Sequence, residues 1–237
     1  GEKYAKEPLL TKLQNDDEIV ETMVQRNQNL SNFWFFKQEK PLSLQNGNKT
    51  VSVTIIHNED DFVYMLQHIF ESFQLKINII SYKEYDFSKD QSDITLVGPG
   101  PGNPNNIGSP KIAKLMEITK QLLAAKKKSM FVCLGHQILC KTLGFDVPRK
   151  DVPHQGVQEK INLFGEEEIV GFYNTFVPKV SELSKQYEIS FVPEKDELVA
   201  IKGEYFVGFQ FHPESILTKN GYTILKESLQ HILAYQH

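Results

Sequence analysis

With 237 residues, 40% of them apolar, the chain is long enough for one large packed domain or for a domain with an extension. A net charge of −4 argues against a nucleic-acid partner, and the lack of an apolar run of about 18 residues argues against a membrane span. No secretory signal pattern is visible, and Cys133 and Cys140 are poorly placed to bridge each other on one helix-like stretch. These features predict free thiols and a cytoplasmic protein.

Residues 1–45 differ in pattern from the rest of the chain. Apolar residues at 19, 20, 23 and 24 recur at helical spacing, and the aromatic cluster NFWFF follows at 32–36. Because the chain begins with glycine rather than methionine, we expect it to be a piece of a longer protein. The predicted division is a helical extension or linker at 1–45 and a main domain at 46–237.

From residue 51, predicted strands and helices alternate. In chain order they are VSVTIIH, DDFVYMLQHIFESF, KINIISY, DITLV, SPKIAKLMEITKQLLAAKKK, SMFVC and GHQILCKTL. Ser109 stands as the N-cap of the long helix, with Pro110 in its first turn. Residues 157–211 are richer in strands, and YTILKESLQHILAYQ closes the chain as a helix. The pattern predicts an α/β fold with a doubly wound, mostly parallel open sheet and an additional strand-rich region.

The stretch FVCLGHQILCK, residues 131–141, places Cys133 between a predicted strand and a predicted helix. An open α/β sheet binds ligands beyond the carboxyl ends of its strands, so this cysteine would stand at the binding edge. Gly135 permits a sharp turn, and the helix N-terminus favours the thiolate form. The pattern is that of the elbow that carries the nucleophile in α/β-hydrolases, here with sulfur.

A cysteine nucleophile needs a base, which can be distant in sequence. His212 follows a predicted strand in VGFQFHPES, and Glu214 comes two residues later. An i, i+2 pair in extended or turn geometry can point the same way, so Glu214 could orient the ring as the acid of a Ser-His-Asp triad does. His212 would then accept the thiol proton and give it to a leaving amine.

The segment LVGPGPGNP, residues 96–104, follows another predicted strand and contains three glycines and three prolines. The prolines cannot donate a backbone N–H, but Gly100 and Gly102 can. The N–H groups of Gly100 and of Leu134, the residue after the cysteine, would form an oxyanion hole. Each feature alone has an ordinary structural explanation, such as a core cysteine or a tight turn. Their joint position at strand ends favours a reactive site.

Together, the motifs GPGPGNP, CLGHQ and FQFHPES resemble those of the class I (triad) glutamine amidotransferases, from about residue 51 to the C-terminus. The resemblance implies a flavodoxin-like sheet and an enzyme that removes ammonia from glutamine through a γ-glutamyl thioester and passes it to a synthase. It implies Cys133 as nucleophile, His212 as base and Glu214 as the residue that orients the base. Gly100 and Leu134 would supply the oxyanion hole.

The same resemblance implies the residues that hold the substrate glutamine. They are Gly102 in the glycine-rich loop, the side chain of Gln137 one turn after the elbow, and the backbone of Thr175 and Phe176. The last two would meet the α-amino and α-carboxyl groups.

A narrower resemblance concerns the ends of the domain. HPESILTKNGYTILK resembles the HPESI-x-T-x-x-G ending of the glutaminases of anthranilate and aminobenzoate synthases, and IHNEDDFVYML resembles their opening strand and helix. HQG, residues 154–156, stands where they carry His-Gly-Lys. The implied partner is a chorismate-binding synthase domain or subunit. Any Mg²⁺ would belong to that partner, with no cofactor or metal in this domain.

Two departures from the family pattern are informative. Phe131 stands where the family usually has glycine, and FYNTF at 172–176 replaces Arg-Tyr-His-Ser-Leu. These substitutions resemble the fused enzyme of phenazine biosynthesis, which makes 2-amino-2-deoxyisochorismate and in which the glutaminase follows a chorismate-binding domain. Residues 1–45 would then be the tail and linker of that domain. The bulky Phe131 is expected to distort the elbow and weaken glutaminase activity.

Two other functions fit the same residues. One is a γ-glutamyl thiol hydrolase on the same fold, against which the stretch Ile216–Gly221 argues. The other is a non-catalytic module that only binds a synthase. The intact triad argues against it, since a module without catalytic activity would not need to keep all three residues. Release of ammonia from free glutamine would separate the amidotransferase from both.

Overall fold

The computed structural model of the chain describes residues 45–46 and 49–236. The predicted extension at 1–45 lies almost wholly outside the described residues, so the proposed domain boundary stays a prediction. Within the part of the chain that is described, no helix is long and apolar enough to cross a membrane.

The described residues form eleven strands and four α-helices. The strands are β1 Gln45–Asn46, β2 Lys49–Thr50, β3 Ser52–His57, β4 Lys76–Ser81, β5 Ile94–Val97, β6 Ser129–Val132, β7 Val157–Leu163, β8 Glu166–Phe172, β9 Glu188–Val192, β10 Glu197–Lys202 and β11 Phe206–Phe209. The helices are α1 Phe62–Ser72, α2 Pro110–Ala124, α3 Leu134–Leu143 and α4 Gly221–Ala234. Short 3₁₀ turns lie at Phe87–Lys89, Glu182–Gln186 and Pro193–Lys195.

Seven strands form one sheet in the order β4-β3-β5-β6-β11-β10-β9. The pairs from β4 to β11 are parallel, whereas β10 is antiparallel to both β11 and β9. Strands β7 and β8 form a separate antiparallel hairpin, and β1 and β2 form a short antiparallel pair. The predicted fold class is therefore confirmed, and the strand-rich region divides between the antiparallel edge of the sheet and the hairpin.

Helices α1 and α2 are positioned by apolar residues at helical spacing. Helix α1 buries Val63, Leu66, Ile69 and Phe70. Helix α2 follows an extended Ser109 and begins at Pro110, where the missing N–H costs no intrahelical bond. The Ser109 side chain makes no capping hydrogen bond, so proline and packing determine this helix start rather than the expected N-cap.

The carboxyl ends of β5, β6 and β11 meet at one edge of the sheet. Val97 pairs with Phe131, and Phe209 pairs with Val132, so the three strands end within one residue of the same level. The glycine-rich loop leaves β5, Cys133 follows β6, and the His212 segment follows β11. Parallel topology thus brings the three motifs together, as ligand sites in open α/β sheets require.

Phe131 is fully buried in the main apolar core, two residues before the elbow. Its ring lies edge-on to Phe206, with ring centroids 6.5 Å apart. Gly208 pairs with Phe131 across β6 and β11, and the space beside it is filled by His136 and Leu139, which a Cβ atom there would approach within 3 Å. The core therefore accommodates the ring, and an effect of Phe131 on glutaminase activity stays a prediction.

We expect Phe131→Gly to lower the free energy of unfolding by at least about 3 kcal/mol, because it removes a buried ring and leaves a cavity. Urea denaturation followed by circular dichroism measures the change. Phe191→Gly is the matched control, since Phe191 lies on β9 and is 38% exposed. Its expected cost is about 1 kcal/mol. An unchanged midpoint for Phe131→Gly, with higher glutaminase activity, would show that the ring strains the site.

Candidate active site

Cys133 occupies a sharp turn between β6 and α3. Its backbone angles are φ 52° and ψ −103°, in the positive-φ region that non-glycine residues rarely adopt and that costs about 1–3 kcal/mol. Its N–H donates to the carbonyl of Phe209 at 2.8 Å, and its carbonyl accepts from the N–H of Gln137 at 3.0 Å. The neighbouring strand and the new helix therefore hold the strained residue in place.

Gly135 lets the helix begin close to the sheet. A Cβ atom at this position would lie 2.2 Å from the carbonyl oxygen of Val97, the last residue of β5. Any side chain here would push α3 away from the strand that leads into the glycine-rich loop. The glycine is therefore required by a close backbone approach, and it places the elbow beside that loop.

His212 and Glu214 form a buried, hydrogen-bonded pair. Nδ1 of His212 donates to Oε1 of Glu214 at 2.8 Å, and both side chains are almost completely excluded from solvent. The backbone of His212 is also held, because its N–H donates to the Gly171 carbonyl at 3.0 Å and its carbonyl accepts from the Thr218 hydroxyl at 2.6 Å. Hairpin β7–β8, which contains Gly171, thus helps to fix the position of the imidazole.

The electrostatics of His212 favour the imidazolium. Burial alone would lower the pKa of His212, but the carboxylate of Glu214 and the sulfur of Cys133 raise it well above its usual value. Nε2 of His212 is buried and makes no hydrogen bond of ordinary length to another described residue, but the Cys133 sulfur is close enough to raise the pKa of the ring. This nitrogen is therefore free to exchange a proton with a group at the elbow.

Two aromatic side chains wall in the imidazole. The ring of Phe62, the first residue of α1, lies 4.8 Å from the His212 ring between centroids. The ring of Tyr173 meets it edge-on at 5.1 Å, and the Tyr173 hydroxyl lies 3.0 Å from the hydroxyl oxygen of Ser215. The imidazole is thus confined to one orientation by packing as well as by Glu214.

The glycine-rich loop packs between the start of α1 and the elbow. A Cβ atom on Gly100 would lie 2.3 Å from the Asn58 carbonyl oxygen, so only glycine allows this approach. A Cβ atom on Gly102 would lie 3.6 Å from the Leu134 side chain, which places the loop against the first residue of α3. The Leu134 N–H is the first of the helix and has no intrahelical acceptor. The structure thus brings the two predicted oxyanion donors onto adjoining segments.

Gln137 is buried, and its side-chain amide is already engaged. Its Nε2 donates to the Phe176 carbonyl at 2.9 Å and to Oε1 of Gln210 at 3.2 Å. Nε2 of Gln210 in turn lies 3.9 Å from the sulfur of Cys133. A substrate could therefore reach only the oxygen of the Gln137 amide without displacing these contacts, and Gln210 joins the site as a residue that the sequence analysis missed.

Thr175 and Phe176 lie after β8, next to the segment that follows α3. The Thr175 carbonyl accepts from the Lys150 N–H at 2.8 Å. The Phe176 carbonyl accepts from both Gln137 and the side chain of Asn174, each at 2.9 Å, which uses both of its lone pairs. Phe176 can therefore meet a substrate through its N–H but not by accepting a further bond from an amino group.

His136 and Cys140 lie behind the elbow and face away from it. Nε2 of His136 lies 3.3 Å from the Leu198 carbonyl oxygen, and the Cys140 sulfur lies 3.7 Å from that nitrogen. Burial lowers the pKa of His136 to about 4 and raises that of Cys140 well above its usual value. Both groups are therefore neutral core residues at physiological pH. Elsewhere among the described residues, no cluster of three His, Cys, Asp or Glu side chains could hold a metal ion.

Several residues of the site escaped the sequence analysis, and one of them left a signal. Gln210 stands two residues before His212, as Glu214 stands two residues after it, so a period-two reading of the sequence could have placed Gln210 on the reactive side. Phe62 and Tyr173 looked like ordinary helix and loop aromatics. Their role depends on long-range packing, which no local pattern records.

The sequence model of class I glutamine amidotransferases matches residues 54–232. The chain therefore belongs to the class I glutamine amidotransferase family.

Within that family the chain is similar to proteins that are named anthranilate synthase or anthranilate synthase component 2. It is 35% identical over 224 residues, 92% of its length, to a phenazine-specific anthranilate synthase of Pseudomonas fluorescens, and 34% identical over 227 residues to that of Pseudomonas chlororaphis. It spans only about a third, 35% and 36%, of the length of these two relatives. Anthranilate synthase component 2 of Helicobacter pylori is 29% identical over 205 residues, which cover 96% of that relative.

Solved structures share the fold at low sequence identity. A glutamine amidotransferase from Thermotoga maritima superposes with a TM-score of 0.63 at 17% identity, covering 78% of this chain and 97% of the other. A glutamine amidotransferase from Methylobacillus flagellatus gives 0.53 at 13% identity, covering 78% and 93%. These likenesses support the architecture and carry no argument about substrate.

Proposed function

We propose that the chain is a glutaminase that hydrolyses glutamine through a cysteine thioester and delivers the ammonia to a chorismate-aminating synthase. The observation that carries the proposal is the buried His212–Glu214 pair, joined at 2.8 Å, beside a cysteine held in a strained elbow. A structural histidine would not need a buried carboxylate on one nitrogen and an unpartnered second nitrogen.

In the proposed mechanism, Cys133 sulfur attacks the side-chain carbonyl carbon of glutamine while His212 holds the thiol proton. A carbon–sulfur bond forms, and the negative charge moves to the carbonyl oxygen, which meets the N–H groups of Gly100 and Leu134. The tetrahedral species collapses as His212 gives its proton to the nitrogen, so ammonia leaves and a γ-glutamyl thioester remains. Water, deprotonated by His212, then attacks the thioester carbonyl carbon; the carbon–sulfur bond breaks, glutamate leaves, and the proton on His212 returns to the Cys133 sulfur.

Substrate recognition is proposed to use groups that still have free bonding capacity. The N–H of Phe176 would meet the α-carboxylate, and the carbonyl of Thr175, which keeps one lone pair, would accept from the α-ammonium. The amide oxygen of Gln137 and the backbone N–H of Gly102 would complete the pocket. The α-carboxylate is assigned to Phe176 and the α-ammonium to Thr175 because the Phe176 carbonyl already accepts two hydrogen bonds.

Two observations support a synthase partner: the names of the relatives, and exposed apolar side chains on loops near the site. Three large apolar side chains are exposed on the loops that surround it, namely Ile107 at 66%, Val152 at 73% and Ile216 at 48%. Exposed apolar residues on functional loops suit a protein partner. We propose an anthranilate-type or 2-amino-2-deoxyisochorismate-type synthase domain or subunit, which would also hold any Mg²⁺.

The decisive experiment compares substrates. Ammonia release from free glutamine and amine release from a γ-glutamyl peptide are measured side by side, with and without a chorismate-aminating synthase. We expect ammonia from glutamine, stimulated by the synthase, and no cleavage of the peptide. Mass spectrometry after treatment with 6-diazo-5-oxonorleucine should show the label on Cys133.

Two outcomes would overturn the proposal. Preferred cleavage of the peptide would identify a γ-glutamyl thiol hydrolase. Failure of Cys133 to react with the glutamine analogue, even with the synthase present, would identify a module that only binds its partner.

A further inference from the structure

We infer that Lys111 is a positioning residue that shapes the oxyanion loop; this inference rests on the proposed glutaminase function. Lys111 lies in the first turn of α2, and its side chain is only 11% exposed. Most lysines on a surface helix extend into solvent, so a largely covered ammonium needs a partner of its own.

The ammonium of Lys111 donates to three oxygens. Nζ lies 2.7 Å from the Asn58 carbonyl, 2.8 Å from the Pro101 carbonyl and 3.1 Å from Oε2 of Glu59. These three acceptors use all three of its N–H donors. Two of the acceptors are backbone carbonyls, and one of those belongs to the glycine-rich loop.

A second anchor holds the other end of the same loop. Nδ2 of Asn58 donates to the Gly98 carbonyl at 2.8 Å. Gly100 therefore lies between two fixed carbonyls, those of Gly98 and Pro101. The intervening Pro99 and Pro101 have φ angles locked by their rings, so little freedom remains to the Gly100 peptide.

The same contacts orient the N–H groups of the loop. In a trans peptide the carbonyl and the following N–H point in opposite directions, so a Pro101 carbonyl turned toward Lys111 turns the Gly102 N–H away from it. A carbonyl that accepts a charged hydrogen bond is polarised, which makes the N–H of its own peptide group a better donor. Lys111 thus strengthens the Gly102 N–H as a donor, and it fixes the Gly100 peptide through the neighbouring Pro101 carbonyl, without touching the substrate.

Removing the ammonium would do more than delete a bond. The carbonyl oxygens of Asn58 and Pro101 both approach the same nitrogen within 2.8 Å, so they would face each other with like partial charges. The loop would move to separate them, and Gly100, whose Cα packs on the Asn58 carbonyl, would move with it. The ion pair with Glu59 contributes less, because that carboxylate is half exposed and screened.

The test compares Lys111→Met with Lys114→Met, a lysine on the same helix whose nearest carboxylate, Glu117, is 3.9 Å away. We expect Lys111→Met to lower kcat/KM for glutamine by roughly 10- to 100-fold, less than the loss of a direct oxyanion donor. Affinity for the γ-aldehyde analogue of glutamine, which forms a tetrahedral thiohemiacetal with Cys133, should fall by the same factor. Alkylation of Cys133 by iodoacetamide, which passes through no oxyanion, should stay within about twofold.

Three results would separate the possible failures. Equal activity of Lys111→Met and Lys114→Met would overturn the inference. A parallel loss of iodoacetamide reactivity would also overturn it, because that pattern means general damage to the elbow. An unmodified protein that releases no ammonia from glutamine even with the synthase present would instead refute the proposed function, while aldehyde binding would still measure the role of Lys111. A Glu59→Gln variant should retain activity within about threefold, and a larger loss would show that the ion pair, rather than the carbonyl clamp, is responsible.

Discussion

Replacing Cys133 by alanine is expected to lower ammonia release from glutamine by at least about 10⁴-fold, because no other group at the site can form the thioester. The fold should survive, since the change deletes one small side chain and keeps the backbone hydrogen bonds that hold the turn. Ammonia is measured by a coupled glutamate dehydrogenase assay, and folding is checked by the Tm.

Cys140→Ala is the matched control for this experiment. Cys140 is a buried thiol on the same helix that faces His136 rather than the site, so its loss should leave turnover within a few-fold. The double variant Cys133→Ala/His212→Ala should be no slower than Cys133→Ala alone, because residues that act as one unit are not additive. Unchanged ammonia release from Cys133→Ala would refute the mechanism.

Glu214→Gln is expected to reduce kcat by about 10³- to 10⁴-fold, the range seen when the orienting acid of a triad becomes an amide. The amide can still accept from Nδ1 of His212, so the geometry is largely kept, but the negative charge is lost. Burial then dominates and the pKa of His212 falls. An NMR titration of the histidine side chains measures this shift, and Glu227→Gln, on the exposed face of α4, is the control.

The same variant has a pH signature in stability. The folded-state pKa of His212 is raised, so the imidazolium contributes stability that is fully present below the unfolded value of about 6.5 and is lost as pH rises through the folded pKa. The difference in Tm between the unmodified protein and Glu214→Gln should therefore be largest below about pH 6.5 and shrink in alkaline buffer. A gap that widens with rising pH would contradict the assigned charge state.

The sequence predicted the architecture well, because strand and helix identity depend on local periodicity. The βαβ alternation determined the parallel strands, and the position of Cys133 after a predicted strand followed from the same pattern. The antiparallel pairing of β10 with β11 and β9 follows from the short connections at 193–196 and 203–205, which the sequence analysis did not use. The separation of hairpin β7–β8 from the main sheet could not be predicted, since it depends on packing.

The parts of the site that sequence could not predict depend on contacts between residues far apart in the chain. Lys111 looks like any solvent-facing residue of a helix, yet it reaches a carbonyl 53 positions away. Phe131 looked disruptive against the family pattern, yet its ring packs in the main core, edge-on to Phe206. Local patterns report what a residue prefers, whereas these two roles depend on what surrounds it.

The segment that contains His212, the proposed base, leaves the main sheet after β11 and runs along the separate hairpin β7–β8. The Gln210 N–H still donates to the Val199 carbonyl of β10, but the N–H groups of His212 and Lys219 donate to Gly171 and Ile169 of β8. Cys133, the proposed nucleophile, belongs to the seven-stranded sheet, so the distance between sulfur and imidazole depends on how the hairpin packs against that sheet. We therefore expect local loosening of the small hairpin to abolish the proposed chemistry while the large sheet remains intact, so that activity would be lost more easily than the fold.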